Sequence, residues 1–224
     1  MRNDFEQNYL SHHGIVGMKW GIRNGPPYPL ESDKLADQVE KLAKLKEPQI
    51  TKDVTAVAKA CGSSMYGTKN KLKTYESIKR KIDTDAEEKG ITPFKAAKSI
   101  KDAVRYTAIS SDKDFVANYN KFKYLLEAKG YKETKCKNYW DLYRKGKAKH
   151  KSVQCNFKTI DGYEFEVQFH TPSSQKAKNE KIPIYEERRK PNIDPDRAIY
   201  LEKQMEKLAE QVSTPDYIYK IKSH

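Results

Sequence analysis

Cysteine is scarce in this chain. Cys61, Cys136 and Cys155 are the three among 224 residues, and no two stand in a paired spacing, which argues against a disulfide framework and against a Cys-based zinc site and fits a reducing cytosol. No apolar run has membrane-spanning length, and the first thirty residues lack the uninterrupted apolar centre of a secretory signal. The chain therefore reads as soluble, with no membrane partner and no export by the usual route. Apolar residues are few, 37% against 33% charged, so a modest core under a heavily solvated surface is expected. Acids are outnumbered 31 to 44 by lysine and arginine, and the net +13 favours a polyanionic partner, nucleotide or nucleic acid. The length suits one substantial domain with appendages.

Backbone breakers divide the chain. Gly14, Gly17, Gly21, Gly25 and Pro26-Pro27 forbid a long regular element near the start, which makes residues 1–31 an arm. Within it, His12-His13-Gly14-Ile15-Val16-Gly17-Met18-Lys19-Trp20-Gly21 resembles a short N-terminal motif of many proteins encoded by tailed bacteriophages and prophages. That resemblance implies docking to phage structural proteins, with Ile15, Val16, Met18 and Trp20 covering an apolar patch. Residues 32–192 are expected to form the main domain and 193–224 a C-terminal helix and tail.

The periodicity predicts helices over 31–46, 53–60, 69–88, 93–100, 115–128, 175–189 and 197–212. Strands are predicted over 103–110, 131–140, 152–160 and 163–171, the last two joined by an Asp161-Gly162 hairpin turn. Helices, a small mixed sheet with a crossover helix, then helices again, make an α+β or α/β layered core.

The run Tyr163 to Thr171 alternates with a period of two. Phe165, Val167 and Phe169 take one face, and Glu164, Glu166, Gln168 and His170 the other. An acid, an amide and an imidazole on one rigid face form a platform suited to metal-assisted phosphate chemistry. Glu166, flanked by apolar residues in mid-strand, calls for a cation partner. Upstream, Lys73, Ser77 and Lys81 are spaced to share a helix face with Lys71 at its start, a surface able to hold a triphosphate, although by itself such a lysine-rich face is more often a solvated one. Asp102 and Arg105 put a carboxylate and a guanidinium at a strand edge. Between Lys135 and Lys151, seven cations against one acid interleave with Tyr139, Trp140 and Tyr143, a composition suited to a nucleotide or a single-stranded RNA end, or to a solvated loop.

The order of these blocks resembles the RelA/SpoT-type pyrophosphokinase (synthetase) domain over about residues 50–190. The blocks are Lys71-x-Lys73-x3-Ser77-Ile78-x2-Lys81, Ile100-Lys101-Asp102, Lys137-Asn138-Tyr139-Trp140, His150-Lys151-Ser152-Val153-Gln154 and Phe165-Glu166-Val167-Gln168-Phe169-His170-Thr171. The resemblance implies a small mixed sheet flanked by helices, related to nucleotidyltransferases. It implies ATP as pyrophosphate donor on Lys71, Lys73, Ser77, Lys81 and Arg105, and Mg²⁺ on Asp102 and Glu166. Glu166 is also the candidate base and Gln168 the residue that orients the metal shell or the acceptor. The acceptor, a guanine nucleotide or a tRNA 3′ end, falls to Lys137, Tyr139, His150, Ser152, Gln154 and His170. Here the sequence departs from the family: His150 stands at the position of the stacking tyrosine, Gln154 at a histidine and His170 at an arginine. These departures resemble small single-domain members of phages, prophages and toxin systems, which implies a bacterial cytoplasm or a phage particle, and a neutralising partner. No His-Asp metal hydrolase signature is present. Two other classes stay open: a metal-dependent nuclease built on Glu166-x-Gln168, and a non-catalytic phage particle or nucleic-acid-binding protein.

Overall fold

The computed structural model describes residues 32–224 apart from Pro191, so the expected arm over 1–31 lies outside the described residues. Helix α1, Ser32–Ala60, is a single helix that runs through Pro48, where the sequence pattern suggests two helices. Ala43, Ile50, Val54 and Val57 keep one buried stripe along it, and that packing outweighs the one hydrogen bond that the proline removes. A three-residue strand, β1 (Ser64–Tyr66), follows. It is too short to show alternation in the sequence.

Helix α2 spans Tyr75–Lys89 and not 69–88. Thr74 accepts a hydrogen bond from the Ser77 amide as N-cap, and Gly90 closes the helix in the left-handed conformation. The six residues before Tyr75 are drawn instead into a short 3₁₀ turn and an extended stretch in which Leu72 bridges Val104. Lys71 and Lys73 therefore precede the helix and do not share its face. The chain continues through α3 (Pro93–Lys98), β2 (Arg105–Ile109), α4 (Phe115–Ala128), β3 (Lys132–Asn138), α5 (Tyr139–Arg144), β4 (Val153–Lys158), β5 (Glu164–His170), α6 (Pro172–Arg188) and α7 (Pro195–Glu210). Helix α5 occupies part of a stretch read from sequence as strand and loop.

The sheet order is β1-β2-β5-β4-β3; β2 and β5 are parallel and the other pairs antiparallel. This is the expected α+β mixed sheet. Gly162, at φ 92°, turns the β4–β5 hairpin as predicted. Tyr106, Phe157, Phe165, Val167 and Phe169 form the apolar face and pack with Tyr119, Phe122 and Leu126 of α4 in one core. Phe169 lies edge-on to both Tyr119 and Phe122, with ring centres 5.2 and 5.0 Å away.

Asn138, fully buried at the end of β3, links three parts of the chain. Its Oδ1 accepts from the Trp140 and Asp141 amides and caps α5, while its Nδ2 donates to the carbonyls of Ile218 and Ile221. Those two residues join the main core together with Val212. Asn138→Ala leaves two buried carbonyls and two helix-end amides without these partners, and is expected to cost about 1–3 kcal/mol in a urea melt. A midpoint equal to the parent's would contradict this role.

Candidate active site

The polar face of the sheet carries the site. Directly paired residues share a face, so register alone places Arg105 beside Glu166 and Thr107 beside Gln168, with Asn156 and Gln154 on the other side of β5. Lys137 pairs with Gln154 and joins the same surface. The period-two expectation for Glu166 and Gln168 thus holds.

Asp102 lies just ahead of β2, where the extended 71–73 segment runs alongside it: the Arg105 amide donates to the Lys71 carbonyl and the Lys73 amide to the Ala103 carbonyl. Lys73 and Lys81 both bind its carboxylate, at 2.5 and 2.9 Å. Burial pushes the Asp102 pKa up, but the two ammonium groups outweigh it and hold the carboxyl below its ordinary value. Lys71 turns away and pairs with Glu47 at 2.7 Å. Ser77, in the first turn of α2, accepts from the Thr74 hydroxyl at 3.1 Å. Of the proposed donor block, then, Lys73 and Lys81 meet Asp102.

Glu166 is in the opposite state. Burial and the nearby Asp102 raise its pKa, against the hydrogen bond from Gln168 and the charges of Arg105 and Lys178. Gln168 donates its Nε2 to Glu166 Oε1 and accepts at Oε1 from Lys178 of α6, so one amide fixes both a carboxylate and an ammonium. Lys178 has no signal in the sequence. It lies in a helix of mixed composition, and only the α6–sheet packing brings it to Gln168. Burial first and then Arg105 lower its pKa to about 8.

Further along the same face, the rings of Tyr139 and His150 lie against each other at a tilt of 34°, with centres 4.1 Å apart. Burial first, then Lys181 and Lys178, bring His150 down to about 4, which leaves a neutral ring at neutral pH. His170 is 2% exposed; its Nδ1 bonds the Ser174 hydroxyl at 2.9 Å and its Nε2 has no partner among the described residues. Buried Ser152 accepts from Gln154 Nε2 at 3.3 Å. A cavity of about 470 Å³ opens here, with His150, His170, Gln154 and Gln168 lining it from the sheet side, Lys178 and Lys181 from α6, and Met205 and Ala209 from α7.

Several cations of the 135–151 stretch are already held within the fold. Arg144 and Lys145 bind Asp141, Lys149 binds Glu202 and Glu206, and Lys151 donates to the Val212 carbonyl. This basic stretch tethers α7 and the C-terminal segment as well as supplying charge. Asp102 and Glu166 are two hard, oxygen-only donors within electrostatic reach of each other, and Glu166 is buried at a raised pKa; this donor set fits a small divalent cation such as Mg²⁺. Among the described residues no helix is long and apolar enough to cross a membrane.

No family model and no curated protein matches the chain. Solved structures do. The small alarmone synthetase 2 of Bacillus subtilis is 15% identical, with 78% of this chain and 89% of that one covered at a TM-score of 0.54. The complex of the Type VI effector Tas1 with its immunity protein contains a chain matched at 15% identity, 88% and 100% coverage and TM-score 0.47. A GTP pyrophosphokinase family protein of Streptococcus pneumoniae matches at 14% identity, 81% and 90% coverage and TM-score 0.47. On the first of these likenesses, and in agreement with the motif order, the chain has the RelA/SpoT-type synthetase fold.

Proposed function

We propose that this protein transfers the β,γ-pyrophosphate of ATP to a ribose 3′-hydroxyl of an acceptor nucleotide, either a guanine nucleotide or a tRNA 3′ end. The observation that carries the reading is the convergence of Asp102 and Glu166 with Lys73, Lys81 and Arg105 on one sheet face, beside a cationic cavity large enough for a nucleotide. Asp102 and Glu166 are the residues that would hold Mg²⁺, which supplies, when bound, charge neutralisation at the phosphate oxygens. Lys73 and Lys81 grip the triphosphate as they exchange Asp102 for it, and Arg105 stabilises the charge that develops during in-line transfer. Glu166 takes the proton of the attacking 3′-hydroxyl at its carboxylate, held in place by Gln168, and its raised pKa suits that task.

Calorimetry with a non-hydrolysable ATP analogue and Mg²⁺ tests the donor half. Lys73→Met and Lys81→Met should each weaken binding at least tenfold; no binding by the parent chain would favour the nuclease or the particle-component reading. The acceptor half has a pH signature. Lys178 and Lys181, both lowered to about 8, meet an anionic ligand best when protonated, and the ligand's charge raises their pKa in return. Acceptor affinity should therefore be full below about pH 8 and fall as pH rises through it. A flat profile between pH 7 and 9.5 would contradict the placement of acceptor phosphates at these lysines.

A further inference from the structure

Strand β3 is irregular at one place, and the irregularity turns a carboxylate inward. Glu133 pairs with Phe157 and Lys135 with Asn156, so Thr134 is an extra residue in the ladder. In an unbroken strand Glu133 and Cys136, three residues apart, would face opposite sides; the bulge brings both to the apolar face. The Glu133 side chain is only 1% exposed there. Cys136 exchanges two backbone hydrogen bonds with His224, of 3.1 and 2.9 Å, and on its other edge opposes Cys155. The Cys136–Cys155 pair is thereby the close, non-hydrogen-bonded kind, and Cys155, Cys136 and His224 form one row across one face. The two sulfurs are 3.0 Å apart, and His224 Nε2 is 3.8 Å from Glu133 Oε1. The ligand atoms of Glu133, Cys136 and Cys155 all lie within 4.8 Å of one another. All of this is on the sheet face opposite Glu166.

We propose that Glu133, Cys136, Cys155 and His224 form a binding site for a thiophilic divalent cation, with Zn²⁺ the best fit. Two sulfurs, a carboxylate and an imidazole are a donor set that tetrahedral zinc accepts. Charge also balances. Two thiolates and Glu133 bring three negative charges, which the cation and the Lys123 ammonium, 2.8 Å from Glu133, cancel. Two thiol protons leave as the metal enters. The Tyr119 hydroxyl stands among these donors, 3.0 Å from Glu133 Oε1, 3.4 Å from Cys136 Sγ and 3.9 Å from Cys155 Sγ, and gives way to the cation as it enters. Sulfurs about 2.3 Å from a tetrahedral zinc stand about 3.7 Å apart, so the cysteines need open by less than one ångström. The eighteen intervening residues hid the pair, since sequence spacing does not show a cross-strand register. The bound metal would join the C-terminal segment to the edge strand β3.

Cobalt titration of the full-length chain, reduced and stripped with chelator, tests the proposal. The expected result is a sulfur-to-cobalt charge-transfer band that saturates at one sulfur-bound Co²⁺ per chain, is displaced by Zn²⁺ and is unchanged in Cys61→Ser and Glu166→Ala. Cys136→Ser and Cys155→Ser should abolish the band. Glu133→Gln and the half-exposed His224→Ala, which keep both core cysteines, should weaken cobalt affinity about 10-fold or more. Absence of the band in the reduced parent chain, its survival without either cysteine, or an isolated protein two hydrogens lighter through a Cys136–Cys155 disulfide that excludes metal would overturn it.

Discussion

Glu166→Gln is expected to lower the proposed pyrophosphate transfer by about a thousandfold or more and to leave the melting temperature unchanged or raised. The carboxylate lies buried beside a second acid, and its raised pKa records that the fold resists its charge. The isosteric amide relieves that cost but supplies neither an anionic metal ligand nor a base. Loss of activity with retained stability is the mark of a group placed for chemistry. Turnover with labelled ATP beside a thermal melt reads both quantities, and a variant within tenfold of the parent would remove Glu166 from the reaction.

Phe165→Ala, one residue away, has the reverse effect. Its ring is fully buried, edge-on to Tyr106 and Tyr131 with centres at 6.1 and 5.6 Å, and stacked on Phe157 at 6.0 Å. Removing it deletes apolar contact and leaves a cavity among rings that cannot readily close in, a loss of about 3–5 kcal/mol. Against the roughly 5–15 kcal/mol of a typical domain, that brings the protein near its unfolding threshold. Urea midpoints at an unchanged slope measure it, and a loss below about 1 kcal/mol would show that Phe165 does not anchor the core.

These neighbours show why the sequence revealed β5 so well. Period two assigns each side chain of a strand to a face without any knowledge of its partners, so Glu166 and Gln168 were legible beside Phe165 and Val167. Lys73 was not legible in the same way. Its spacing to Ser77 and Lys81 fits a helix, but Leu72 gains a bridge to Val104 that draws the segment out straight. The three lysines of that block then diverge: Lys73 and Lys81 reach Asp102, and Lys71 reaches Glu47. Lys178, Cys136 and Cys155 depend on contacts between residues far apart in the chain. No local pattern encodes which ladder register or helix face will bring such groups together.

The sheet thus separates two chemistries. Its polar face carries Glu166 and Arg105 next to a cavity lined by Gln168 and Lys178, and its apolar face holds the aromatic core with two thiols at one edge. The ion pairs of Asp102 with Lys73 and Lys81 leave this cluster neutralised within the fold, and in the proposed reaction a triphosphate competes for the two lysines.

Incubation with ATP labelled at the γ-phosphate, with Mg²⁺ and either guanine nucleotides or bulk tRNA, reads the proposed transfer itself. Label is expected as a pyrophosphate unit on the 3′-hydroxyl of one of these acceptors, with AMP released in equal amount. Label released only as free phosphate, or no consumption of ATP with any acceptor, would contradict it.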